Sequence, residues 1–194
     1  MMNREIARMQ RIHGQGHLDF VARFVPQAKK GRRAHPPKTE KDFSKGMNQK
    51  ERALALLSAM AAGTDKGTVQ SRGHKIGAAE LPIVVSDELE SLTKSKDVAA
   101  LLRKIGLGDE LSRLEKKKVR AGKGTARGRK YTRKRGPLII VKEDRGIIRA
   151  ARNIAGVDVA TLNELTISMV APGGRPGRLL IFTESALKDV DKHG

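Results

Sequence analysis

His13 and His17 stand four residues apart, the spacing at which two imidazoles on one helix face could share a metal ion. Gly14 and Gly16 lie among them and argue against that helix. The five histidines, His13, His17, His35, His74 and His193, fall in loops or near the termini, where contact with solvent or a nucleic acid is the simpler expectation. Asp87, Glu88 and Glu90 could do acid–base work. They follow an apolar run, so helix capping and a favourable helix dipole explain them better. The glycines offer no nucleotide loop. Gly122-x-Gly124-x-x-x-Gly128 has the wrong spacing for a dinucleotide fingerprint and follows Lys116-Lys117-Lys118-Val119, not a strand. Gly173-Gly174-x-x-Gly177 precedes an apolar run, whereas a phosphate-cradling loop follows a strand and opens a helix. No nucleophile, base and orienting group can be nominated from spacing. No catalytic residue, metal or cofactor is therefore expected, and the chain does not read as an enzyme.

The chemistry that is present is cationic. Lys116–Gly136 holds eleven basic residues and no acid: Lys116, Lys117, Lys118, Arg120, Lys123, Arg127, Arg129, Lys130, Arg133, Lys134 and Arg135. Four glycines break any helical period there. Like charge at this density repels itself and needs a polyanion. Residues 1–41 carry ten basic and three acidic residues, and the rest of the chain outside both segments carries nineteen and eighteen. Two segments thus supply nearly all of the net charge of +19. Clustered Lys and Arg suit nucleic-acid phosphates through counterion release, more than an anionic membrane face. Only Tyr131 lies within the main basic stretch, so aromatic stacking is a minor theme and folded RNA read by shape and phosphate is favoured. Tyr131 could equally be a packing residue at a domain edge. There are no cysteines, which excludes a disulfide framework and thiol chemistry. No apolar run approaches a membrane span.

The elements that must carry these segments follow from periodicity. Residues 1–41 read as an extension, with Gly14, Gly16, Gly31, Pro26, Pro36 and Pro37 denying it regular structure. A short helix over 3–12 is possible. Arg23, Lys29, Lys30, Arg32, Arg33 and Lys38 favour an arm that folds on RNA over a disordered tail. Order begins near residue 39. Asn48 with Glu51 resembles a capping box, and Ala53–Ala61 continues as an amphipathic helix ended by Gly63. Residues 64–80 read as a polar connector. Leu81–Val85 reads as an apolar strand buried on both faces. Asp87 and Glu90 again resemble a capping box, and Val98, Leu101, Leu102 and Ile105 give a helix closed by Gly106. Leu138–Val141, Val157–Ala160 and Leu179–Phe182 read as further strands, and 147–153 as a helix. Leu165–Val170 is ambiguous between helix and extended chain. Thr183 caps a last helix. Short apolar strands alternating with helices argue an α/β domain with a mainly parallel sheet.

Several stretches together resemble one family. Val25–Lys38 (VPQAKKGRRAHPPK), Lys118–Gly136 followed by LIIV, AARNI at 150–154, APGGRPGR at 171–178 and FTESA at 182–186 are similar to large-subunit ribosomal protein four, archaeal type. The resemblance implies a three-layer α/β domain, residues 42–194, with the basic loop 116–136, and an extended basic N-terminal arm, residues 1–41. It implies a structural role: binding large-subunit rRNA early in assembly, beside neighbouring large-subunit proteins, in the cytoplasm. The arm would line part of the exit tunnel, next to the nascent polypeptide. Carried over by position, Arg8, Gln10, Arg11, His13 and Gln15 lie near the tunnel. His35 joins the arm's RNA-binding residues, and Arg175 and Arg178 join those of the domain.

The family pattern normally opens with a β-hairpin, a helix and a Trp-Gly-containing outgoing arm, whereas this sequence starts inside the arm. A fragment, a misplaced start or a short version would each account for this, and further α/β-patterned coding sequence upstream of Met1 is the expectation. From the residues alone, an RNA-processing enzyme or a regulator of messenger RNA leaders with a basic arm remains the alternative.

Overall fold

The computed structural model describes residues 9, 11–14, 16–17, 19–77 and 79–193, the last three without side chains. The chain divides into two compact units, residues 1–46 and 47–194. Helix α1 spans Gln49–Thr64, α2 Lys66–Ser71, α3 Ser95–Lys104, α4 Gly108–Glu115, α5 Lys123–Ala126, α6 Ile147–Ala151, α7 Ile167–Val170 and α8 Glu184–His193. Strands are β1 (Ile83–Val85), β2 (Lys118–Val119), β3 (Tyr131–Thr132), β4 (Leu138–Val141), β5 (Asp158–Thr161) and β6 (Leu180–Thr183).

The main sheet has the order β1-β6-β4-β5, and every pairing in it is parallel. The two inner strands show why. β4 and β6 are buried along their whole length, as parallel strands covered on both faces must be. Side chains alternate between the faces. Ile139, Val141 and Ile181 join Val98 and Leu102 of α3, Leu111 and Leu114 of α4, and Ile147 and Ala151 of α6 in one core. Leu138, Ile140, Leu180 and Phe182 join Ala59 and Met60 of α1, Val170 of α7 and Ala186 of α8 in the other. Helices therefore cover both faces of the sheet, giving the three layers expected.

Several elements differ from the sequence reading, each for a packing reason. Leu81–Val85 is not buried on both faces. β1 is an edge strand, and Val84 is 42% exposed beside buried Ile83. Gly63 does not end α1. It lies in the last turn where the helix meets β6, and a Cβ there would come within 2.6 Å of Leu180 Cδ1 and 3.0 Å of Arg178 O. The polar connector contains α2, whose start is capped by Asp65, the carboxylate accepting from the amides of Gly67 and Thr68. Helix α4 went unread because its apolar face is only Leu111 and Leu114.

The two capping boxes also resolve differently. Asn48 makes no side-chain cap bond. Asp87 opens a 3-10 turn over Asp87–Ser91 but caps α8 instead, accepting from the Ser185 amide at 3.0 Å and from the Ser185 hydroxyl. Buried Glu90 accepts from the Lys142 amide at 2.9 Å and the Thr183 hydroxyl at 3.2 Å. Thr183 does cap α8, its hydroxyl accepting from the Ala186 amide at 3.4 Å.

Candidate nucleic-acid interface

The main basic stretch is a hairpin. β2 pairs antiparallel with β3, with Lys118 opposite Thr132 and Val119 opposite Tyr131. The Arg120 amide donates to Lys130 O at 2.8 Å and extends the ladder by one rung. The connection holds α5, entered through Gly122 and left through Gly128, both at φ +79°, where only glycine sits without strain. All eleven basic side chains are exposed. The glycines thus buy a turn that keeps every cation pointing outward rather than an irregular coil. Lys117 Nζ lies 4.4 Å from the centroid of the Tyr131 ring and Lys130 Nζ 5.6 Å from it. Tyr131, 41% exposed, is therefore a cation-bearing surface residue and not an edge-packing one.

The hairpin is gripped where it enters the sheet. Arg113 Nη2 donates to Arg135 O at 2.9 Å. Arg178 donates from Nε to Gly136 O at 2.8 Å and from Nη2 to Pro137 O at 3.4 Å. Two guanidiniums thereby hold three consecutive carbonyls, a use that suits their rigid fork of donors. Each guanidinium is itself anchored. Arg178 Nη2 pairs with Asp158 Oδ2 at 2.6 Å, and Nη1 donates to Met169 O at 2.7 Å. Arg113 Nε donates to Glu110 Oε2 at 2.7 Å. Glu110 is buried and also lies 2.7 Å from His74 Nδ1 and accepts from the Lys75 amide at 3.0 Å. Burial pushes the Glu110 carboxyl up, but the hydrogen bonds from His74, Arg113 and the Lys75 amide outweigh it, and its pKa falls to about 2. The carboxylate stays charged and keeps Arg113 in place.

These contacts change the roles of two residues. Arg178 is only 1% exposed, with its donors committed to carbonyls and Asp158, so it supports the interface from inside and offers nothing to a phosphate. His74 does lie in a loop, but it is buried against Glu110 and does not face solvent. Arg175, by contrast, is exposed. Its loop is tied down by Arg72, which donates to Pro172 O at 2.8 Å, to Pro176 O at 3.0 Å and to Arg175 O. Arg135 is exposed yet pairs with Asp158 at 3.2 Å. The clamp residues Arg113, Glu110 and Arg72 were missed by sequence reading. Glu110 and Arg113, three apart on one helix, were the available signal.

In the unit spanning residues 1–46, the described residues form neither helix nor strand. Ile12 and Val21 close a loop, the Ile12 amide donating to Val21 O at 3.2 Å and the Phe20 amide to Ile12 O at 2.8 Å. Arg11 donates to Phe20 O at 3.2 Å, and His13 meets the Phe20 ring edge-on at 5.5 Å. Arg8, Gln10 and Gln15 lie outside the described residues, as does most of the possible helix over 3–12. Lys29, Lys30, Arg32, Arg33, His35 and Lys38 are exposed and Arg23 is half-buried. Among the described residues no group of His, Cys, Asp or Glu is placed to hold a metal ion, and no helix is long and apolar enough to cross a membrane.

The model of the ribosomal protein L4/L1 family matches residues 4–193. The chain belongs to that family. It is 49% identical over 180 residues to the large ribosomal subunit protein uL4 of Haloarcula marismortui, covering 91% of this chain and 72% of that one. Against the uL4 proteins of Halorubrum lacusprofundi and Methanosphaera stadtmanae it is 48% and 42% identical, covering 91% and 95% of this chain and 73% and 71% of theirs. All three are archaeal, the type that the five sequence stretches resemble.

Proposed function

We propose that the chain is a structural constituent of the large ribosomal subunit, not an enzyme, and that it binds large-subunit rRNA through the hairpin over 116–136. The observation that carries this is the hairpin itself. Eleven exposed cations with no acid among them are held on a stem fixed by Arg178 and Arg113, in a member of a ribosomal protein family. Such a surface gains affinity from counterion release, and a fixed stem reduces what must be ordered on binding.

Arg175, half-buried Arg23 and the exposed cations from Lys29 to Lys38 extend the same surface chemistry in this reading. Residues 1–41 serve as an arm that enters the RNA, with Arg11 and His13 toward the exit tunnel and the nascent polypeptide. Residues 42–194 are the anchoring domain, with neighbouring large-subunit proteins as further partners. Gradient sedimentation of cell extract in high salt tests the assignment. The chain is expected to travel with large subunits. Recovery at the top of the gradient, or RNA turnover by purified protein that a point change abolishes, would overturn it.

A further inference from the structure

A cleft of about 500 Å³ opens between the hairpin stem and the turn that joins α6 to β5. That volume falls within the roughly 300–1,000 Å³ of small-ligand sites. One wall carries Tyr131, Arg133 and Arg135, the other Arg152, Asn153 and Ile154. The one carboxylate in the lining, Asp158, is already met by Arg178 at 2.6 Å and Arg135 at 3.2 Å, so the cleft is cationic on balance. Its walls are fixed at their closest approach. The Gly136 amide donates to Gly156 O at 2.8 Å, and a Cβ on Gly156 would come within 2.8 Å of Lys134 O. Gly156 also sits at φ +75°. The concavity therefore exists before any ligand arrives.

We propose that this cleft takes one unstacked nucleotide of the bound RNA, which rests on the RNA-binding reading above and deepens it. A flat cationic surface serves a continuous backbone. A concave one with cations on both walls suits a nucleotide turned out of its stack, the form in which RNA sequence is usually read. The arginines take its phosphate. The exposed Asn153 amide offers a donor and an acceptor to a base edge, and Tyr131 and Ile154 supply apolar surface to its face.

The test compares the full chain with Arg152→Ala, Asn153→Ala and Asn153→Asp in binding to large-subunit rRNA across a salt series. Backbone amide shifts on titration with 5′-AMP, GMP, CMP and UMP supply a second readout. Asn153→Ala is expected to weaken binding about tenfold with the salt slope unchanged, since it removes base contacts and no charge. Asn153→Asp is expected to weaken it further. Arg152→Ala is expected to make the slope shallower by about one. The mononucleotides are expected to shift amides within 152–157. Equal affinity of Asn153→Ala and the native chain overturns the cleft assignment while leaving RNA binding intact. Absence of RNA binding by the native chain overturns both.

Discussion

Arg178 and Arg113 spend their charge on main-chain carbonyls at the root of the hairpin. Replacing Arg178 by Lys keeps the charge and loses the fork, leaving the buried Gly136 carbonyl and the Met169 carbonyl short of donors, while Pro137 O keeps the Asp158 amide at 3.2 Å. A stability loss of about 2–4 kcal/mol is expected in urea unfolding. Arg175→Ala, in the exposed loop three residues earlier, should change stability by less than about 0.5 kcal/mol. Equal losses from the two would show that Arg178 is no clamp. Glu110 adds a pH signature. Its folded pKa, about 2, lies below the ordinary 4.5, so its contribution is complete above about pH 4.5 and is lost as pH falls toward 2. Glu110→Gln should flatten the acid limb of stability between those values, read by denaturant midpoints at several pH values. An unchanged limb would mean that the carboxylate is not held by His74 and Arg113.

At the scale of elements, what could be read beforehand followed apolar periodicity. LIIV at 138–141 and the run at 179–182 were legible because strands buried on both faces leave nothing polar in the pattern. LPIVV had the same appearance, but sheet order set it at an edge, and order is a tertiary fact. The hairpin was hidden because two rungs of pairing cannot show a period among so many charges. Arg178 was indistinguishable from Arg175 by type, and only the carbonyls of Gly136 and Met169 brought around it tell them apart. Gly63 looked like a helix stop and is a close approach. Gly63→Ala should therefore destabilise by about 1–3 kcal/mol in thermal or urea melts despite alanine's better helix propensity. Stabilisation would mean that Leu180 yields to the added methyl group at no cost.

For the whole molecule, the charge is divided between two surfaces. The body of the domain is close to neutral, and the cations sit in the hairpin and in residues 1–41. The family and the parallel α/β fold were both legible in the sequence, the first from five ordered stretches and the second from alternating apolar runs. The clamp and the cleft were not, since each joins residues far apart in the chain, such as His74 with Glu110 and Lys134 with Gly156. Within residues 1–38, Arg23–Lys38 is expected to carry most of the affinity for RNA, because seven of its sixteen residues are Lys, Arg or His. Deleting residues 1–38 should impair subunit assembly, and deleting 1–16 should leave it nearly intact while changing nascent-chain passage. Subunit profiles of the two strains decide it, and equal assembly defects would contradict this expectation.

The dependence of rRNA affinity on salt reads out whether the hairpin is the RNA-binding surface. With roughly 8–10 phosphates neutralised, log K against log salt should fall with a slope of about −6 to −9. Replacing Arg127, Arg129 and Arg133 by Ala, all exposed and outside the clamp, should make the slope shallower by about 2–3 while the helical circular dichroism signal persists. A native slope shallower than about −3, or a slope the triple variant leaves unchanged, would contradict the hairpin as the RNA-binding surface.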